Sequence, residues 1–109
     1  MLRMRIDRWD VRRDGPLSEA ALEHKIRARG YDPDSRMYPA GATVAPPPDA
    51  HERVDAVVSG LIKVTIEGES AILTAGDLVF VPHGATRRLE VVGPTPAHCL
   101  EAVFRSARA

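Results

Sequence analysis

Gly76-Asp77-Leu78-Val79-Phe80-Val81-Pro82-His83-Gly84 decides the reading of this chain. A glycine and an acidic turn residue lead into four apolar residues, and proline and glycine close the run. So short an apolar run between turn formers is the pattern of a buried strand. The same punctuation continues on both sides. Residues 54–59 and 61–67 flank Gly60, and Ile62, Val64 and Ile66 alternate with Lys63, Thr65 and Glu67, which predicts a strand with one buried face. Gly68-Glu69 turns the chain into 70–74, and strands are predicted again at 79–81, 87–92 and 97–105. Upstream, a strand at 43–45 precedes Pro46-Pro47-Pro48, which cannot donate ladder hydrogen bonds. Short strands at regular spacing predict a β-sandwich or barrel.

The first third differs. Residues 3–9 alternate weakly, as a half-buried strand does, and Gly15-Pro16 ends the pattern. Ser18 suits a helix N-cap, because its hydroxyl accepts from free N–H groups of the first turn. Leu17 and Leu22 hold the positions of a hydrophobic staple, Leu22 and Ile26 share a face, and Gly30 is a natural terminator. One short helix is predicted at 19–29. Residues 1–35 are read as a strand and helix packed on a barrel at 36–109, one structural domain in all.

Composition narrows the function classes. The chain has 109 residues, enough for one modest core. Fifteen basic residues balance fifteen acidic ones, so no global charge points to nucleic acid or an anionic membrane. Residues 1–30 hold eight Lys or Arg against five acids, either a solvated surface or a basic docking face. No apolar run approaches the roughly 20 residues that span a bilayer. The start lacks a signal-peptide pattern, and one cysteine excludes an intramolecular disulfide framework. A cytoplasmic location is expected.

Extended to Arg87, the opening stretch resembles the second conserved motif of the cupin family: glycine, five residues, proline, any residue, glycine, any two residues, histidine. Arg87 stands where that histidine would be. The first motif is glycine, five residues, His-x-His, three or four residues, glutamate, six residues, glycine. Anchored on Gly41 and Gly60, it places its ligand positions at Pro47, Asp49 and Arg53. The resemblance covers residues 36–105 and implies an all-β fold: a cupin-type double-stranded β-helix, or jelly-roll barrel, with one short N-terminal helix. It implies a frame that keeps its glycines and has mostly lost its metal ligands, so no metal is expected there. It also implies a homodimer, since such barrels commonly pair through edge strands; the 3–9 strand is the candidate edge and Trp9 the candidate anchor.

Strand alternation then places the side chains. If position 53 points inward, as the corresponding cupin glutamate does, His51, Asp55 and Val57 share its face; if position 87 does, so do Leu89 and Val91. The expected pocket contains Asp49, His51, Arg53, Asp55 and Arg87, with Tyr38 at its mouth. Four readings stay open. The charges form ion pairs in place of a lost metal. Arg53 and Arg87 bind a small organic anion, a carboxylate or phosphate, with His51 and Asp55 setting selectivity. Asp49 and His51, with His83 or His98, hold a divalent Zn, Fe, Mn or Ni. Or His51 and Asp55 form an acid–base pair. The functional expectation is a small cupin binding an organic anion in the barrel. The alternative is a cupin-type enzyme, a metal-dependent or metal-free isomerase, lyase or dioxygenase. His24 is expected to face solvent, and Cys99 to be a core residue pointing opposite to His98.

Overall fold

A computed structural model describes residues 4–105. β1 (Arg5–Asp7) is followed by α1 (Val11–Asp14) and α2 (Glu19–Ala28). The chain then runs through β2 (Tyr31–Tyr38), β3 (Thr43–Val44), β4 (Arg53–Ser59), β5 (Ile62–Ile66), β6 (Glu69–Leu73), β7 (Leu78–Val81), β8 (Arg87–Val91) and β9 (Ala97–Phe104). The helix expected at 19–29 is α2, and Ser18 Oγ accepts from the Ala21 N–H at 3.0 Å. One helix was expected and two short ones form. α1 is a single turn, capped where the Asp10 carboxylate accepts from the Arg12 N–H at 2.9 Å, and so short a turn shows no apolar period. Of the strand expected at 3–9, residues 5–7 form β1, and residue 3 lies outside the described residues.

The strands form two antiparallel sheets, one in the order β1-β7-β4-β9-β2 and the other β3-β8-β5-β6. This is the expected all-β jelly-roll architecture. Between the sheets lies a core that joins Val57, Val79, Val81 and Cys99 of the first to Ile62, Val64, Ile66, Leu89 and Val91 of the second. On the outer face of the five-stranded sheet, Leu22 and Ile26 of α2 cover Val54, Ala56, Leu78, Leu100 and Ala102. β4 is therefore buried on both faces and alternates between them, with Arg53, Asp55 and Val57 toward the sandwich interior and Val54 and Ala56 under the helix.

Two glycines of the motif frame are required by close packing. Gly60 turns β4 into β5 at φ 93°, and a Cβ there would sit 2.8 Å from the Ala97 Cα. Gly76 leads into β7 at φ 90°, where a Cβ would meet the Trp9 Cβ at 2.5 Å. Only glycine tolerates both the conformation and the approach. Trp9 is thereby fixed within the chain: its indole N–H donates to the Gly15 carbonyl at 2.9 Å, and Lys25 Nζ lies 5.0 Å over its ring.

β2 has no counterpart among the strands read from sequence. It is an edge strand, polar and largely exposed, with Pro33 opposite Ala102 of β9. An edge needs no alternation and tolerates proline, so nothing in its pattern marks it as a strand. No helix of the described residues is long and apolar enough to cross a membrane.

Candidate functional site

The interior of the sandwich carries one polar cluster in an apolar surround. β8 alternates so that Arg87, Leu89 and Val91 point inward, as expected of an inward position 87. From the four-stranded sheet Arg87 reaches across to β4 of the other sheet, where Nη1 donates to Asp55 Oδ2 at 2.6 Å. Both side chains are only 5% exposed. Asp55 lies directly opposite Glu101 of β9 in the ladder. Two facing carboxylates repel, and arginines offset that repulsion. Arg53 Nη1 donates to Asp49 Oδ2 at 2.9 Å, its Nη2 lies 3.5 Å from Glu101 Oε1, and its Nε lies 3.7 Å from Asp55 Oδ1. The Tyr38 hydroxyl donates to Glu101 Oε2.

The cluster is thus Arg53, Arg87, Asp55, Glu101, Asp49 and Tyr38. Burial pushes the Asp55 carboxyl above its ordinary range, and Arg87 and then Arg53 pull it back. Burial raises the Tyr38 phenol, and the bond to Glu101 raises it further. Asp49 is held low, chiefly because its carboxylate accepts from the His51 backbone N–H at 2.9 Å. Arg53 Nε and Asp55 Oδ1 are buried without a hydrogen-bond partner among the described residues, and they face each other across the 3.7 Å gap.

The other expected residues fall elsewhere. His51 precedes β4; its side chain is 60% exposed and its Nδ1 lies 3.3 Å from Asp49 Oδ1. It pairs with Asp49 while Asp55 pairs with Arg87, so the two do not form an acid–base pair. Tyr38 is half-buried at the end of β2, where its hydroxyl is held by Glu101. Cys99 and His98 point to opposite faces as expected. Cys99 is 4% exposed in the interior, and burial pushes its thiol up to about 12, which leaves it protonated and unreactive. His98, outside, has Ser35 Oγ at 2.6 Å and Glu19 Oε2 at 3.4 Å, both at the same nitrogen, Nε2. A serine–histidine–acid relay needs the acid on the other nitrogen. Glu101 was missed from sequence. Its signal was the phase of β9, in which Ala97, Cys99 and Glu101 share the inner face.

The metal that the cupin resemblance implies does not fit these residues. Two of its ligand positions hold guanidiniums, which have no free lone pair, and a third holds Pro47. Arg87 fills the interior against Asp55, and among the described residues no three His, Cys, Asp or Glu side chains gather in a metal-binding group.

Arg53 alone of the buried network also opens to a cleft. The cleft has a volume of about 180 Å³ and lies at the end of the sandwich; Arg5, Tyr31, Ile66, Phe80, Val81 and Pro82 share its wall with Arg53, and among the described residues Glu52 is the one acid there. Arg5 stacks over the Phe80 ring at 4.3 Å and has no carboxylate partner among the described residues. Arg87 is not part of the wall.

The sequence profile of the cupin domain family matches residues 35–103. No curated protein matches the chain. Among solved structures, a cupin protein from Bacteroides fragilis is 24% identical, with a TM-score of 0.62 over 73% of this chain and 70% of that one. An RmlC-like cupin from Shewanella frigidimarina is also 24% identical, with a TM-score of 0.61 over 72% of this chain and 69% of that one. A salicylate 1,2-dioxygenase from Pseudaminobacter salicylatoxidans is 22% identical, with a TM-score of 0.61 over 68% of this chain and only 21% of its own length.

Proposed function

We propose that this chain, which belongs to the cupin domain family, is a metal-free binding module for a small organic anion held at the mouth of its barrel. Arg53 carries the reading. It stands at a position that the family resemblance assigns to a metal ligand, and it joins the buried network to an open cleft. Its guanidinium has five N–H donors. The network takes one at 2.9 Å and a second at 3.5 Å, the limit of a hydrogen bond. Donor capacity is left for a ligand carboxylate. Arg5 adds a second cation, so two guanidiniums face the single wall carboxylate of Glu52, and Ile66, Phe80, Val81 and Pro82 give the wall an apolar surface for the rest of the molecule. A volume of about 180 Å³ is below the usual range for drug-sized ligands, which favours a compact acid.

A thermal-shift screen of small monocarboxylates, followed by titration of any hit, tests this. At least one acid should raise the melting temperature of the parent protein. Arg53→Met and Arg5→Met should each weaken its binding by about ten- to a hundredfold, the loss of one charge-assisted bond. Arg5 makes no buried ion pair, so its variant isolates binding from folding. If no acid stabilises the parent, or if both variants bind as the parent does, the reading fails.

A further inference from the structure

A second and larger cleft lies outside the barrel, where β1, α1 and the end of α2 meet. Its volume is about 710 Å³. Among the described residues four guanidiniums line it, those of Arg5, Arg8, Arg13 and Arg29, and Asp7 is the one acid. Separate parts of the chain deliver these groups: Arg5 and Asp7 come from β1, Arg8 from the loop after it, Arg13 from α1, and Arg29 from the C-cap of α2. Arg13 Nη2 lies 3.1 Å from Asp7 Oδ1, Arg29 bonds to Asp7 Oδ2, and Lys25 Nζ lies 3.3 Å from Oδ1. Three cations therefore converge on one carboxylate. Burial works against ionisation of Asp7, but the bonds from Arg29 and Lys25 outweigh it and hold the carboxyl below its ordinary range.

The cations outnumber their counter-ions. Arg8, Arg13, Lys25 and Arg29 share three carboxylates, those of Asp7, Asp14 and Asp77. Arg5 has none among the described residues and lies over Phe80. The Arg8 and Arg13 side chains are more than half exposed, at 56% and 55%. Arg13 spends Nε and Nη2 on Asp14, Asp7 and the Arg8 carbonyl, and Arg8 spends Nη1 on Asp77, so the donors left for a ligand are Arg13 Nη1 and the remaining N–H groups of Arg8. Phe80 and Tyr31 form the aromatic part of the same wall, with their rings edge to face at 6.3 Å between centroids; Tyr31 is 7% exposed, and Arg5 and Arg29 lie over the Phe80 ring at 4.3 and 5.7 Å, so the surface left to an organic group is the uncovered part of Phe80.

This chemistry selects a ligand class. Several planar forks converging from different directions suit a tetrahedral dianion, whose oxygens can each accept from a different guanidinium. A carboxylate has two oxygens and is satisfied by a single fork. The volume admits an organic part as well, and the aromatic wall gives that part a surface. We propose that this groove is a second anion site, which takes the phosphate of a small phosphomonoester between Arg8, Arg13 and Arg29 and seats its organic part against Phe80. The groove and the mouth cleft share Arg5, Tyr31 and Phe80. A test must therefore use residues that belong to only one of them.

Isothermal titration of the full chain with phenyl phosphate, inorganic phosphate and benzoate, at an ionic strength of about 0.15 M to screen loose association, provides that test. Phenyl phosphate should bind, and inorganic phosphate should bind more weakly. Arg29→Gln and Arg13→Gln should each weaken phenyl phosphate binding about tenfold or more, while an excess of benzoate, a carboxylate of the class assigned to the mouth cleft, leaves it unchanged. The exposed Arg13 carries the test if the Arg29 variant fails to fold. The proposal is overturned if phenyl phosphate does not bind the parent, or if Arg13→Gln binds it as the parent does. Displacement of phenyl phosphate by benzoate also overturns it, by placing the ester in the mouth cleft. Equal affinity for inorganic phosphate would remove the role given to Phe80.

Discussion

Arg87→Met is expected to lower stability by about 3–5 kcal/mol at neutral pH, the usual cost of removing one partner of a buried ion pair. Against a total stability of roughly 5–15 kcal/mol, that brings the fold close to its limit. The cost comes less from the lost bond than from what remains. Asp55 is 5% exposed, faces Glu101 across the ladder, and keeps only Arg53 at 3.7 Å as a cation. The loss should depend on pH with a definite sign. Burial already raises the Asp55 carboxyl, and without Arg87 it rises further above its unfolded value of about 3.9. Below the unfolded value the group is protonated in both states and costs little. As pH rises through the window up to the raised folded value, the unfolded state ionises first and stability falls. Urea denaturation of parent and variant at about pH 4 and pH 7 checks this: the gap between them should widen at the higher pH. Adding Asp55→Leu should recover most of the loss, because an apolar pair of similar volume replaces a buried ion pair at little cost. An equal gap at both pH values would show that Arg87 does not stabilise the ionised Asp55.

Leu22→Ala is the second large effect, expected at about 2–5 kcal/mol. Leu22 is fully buried at the centre of the cluster that joins α2 to the five-stranded sheet, among Val54, Ala56, Leu78 and Leu100. The helix is held by this face rather than by length, since ten residues make a marginal helix in isolation. Ile72→Ala is the control. Ile72 is 45% exposed on β6, and its truncation should fall within about 0.5 kcal/mol of the parent. Equal losses for the two would mean that α2 is not docked as described.

What was legible in the sequence follows the physics of burial. The Gly76–Gly84 stretch reads correctly because β7 is buried on both faces and bounded by turns that only particular residues make. Ile62, Val64 and Ile66 read correctly because β5 has one wet face. β2 was illegible: an edge strand satisfies half its hydrogen bonds with water and needs no apolar side, so Pro33, Asp34 and Ser35 look like a loop. The inward direction of Arg53, Asp55 and Arg87 followed from alternation. The same rule failed for His51, because alternation ends where β4 begins, at Arg53, and a loop residue owes its direction to Asp49 instead. Glu101 is the one charge on an inner face of β9 otherwise made of Ala97, Cys99 and Val103, so nothing in the sequence marked its partner. Only the β4–β9 register sets it beside Asp55. The basic excess of residues 1–30 was visible as a count, but the gathering of Arg5, Arg8, Arg13 and Arg29 into one groove depends on α1, α2 and β1 meeting in space.

Native mass spectrometry of the full chain after incubation with Zn²⁺, Mn²⁺ or Fe²⁺ tests the central claim most directly, that arginine–carboxylate pairs occupy the barrel centre in place of a metal. Two guanidiniums at ligand positions repel a cation, so the protein should keep its unmetallated mass with each ion, as should Asp55→Asn. One metal ion held per chain and lost in Asp55→Asn would contradict the account.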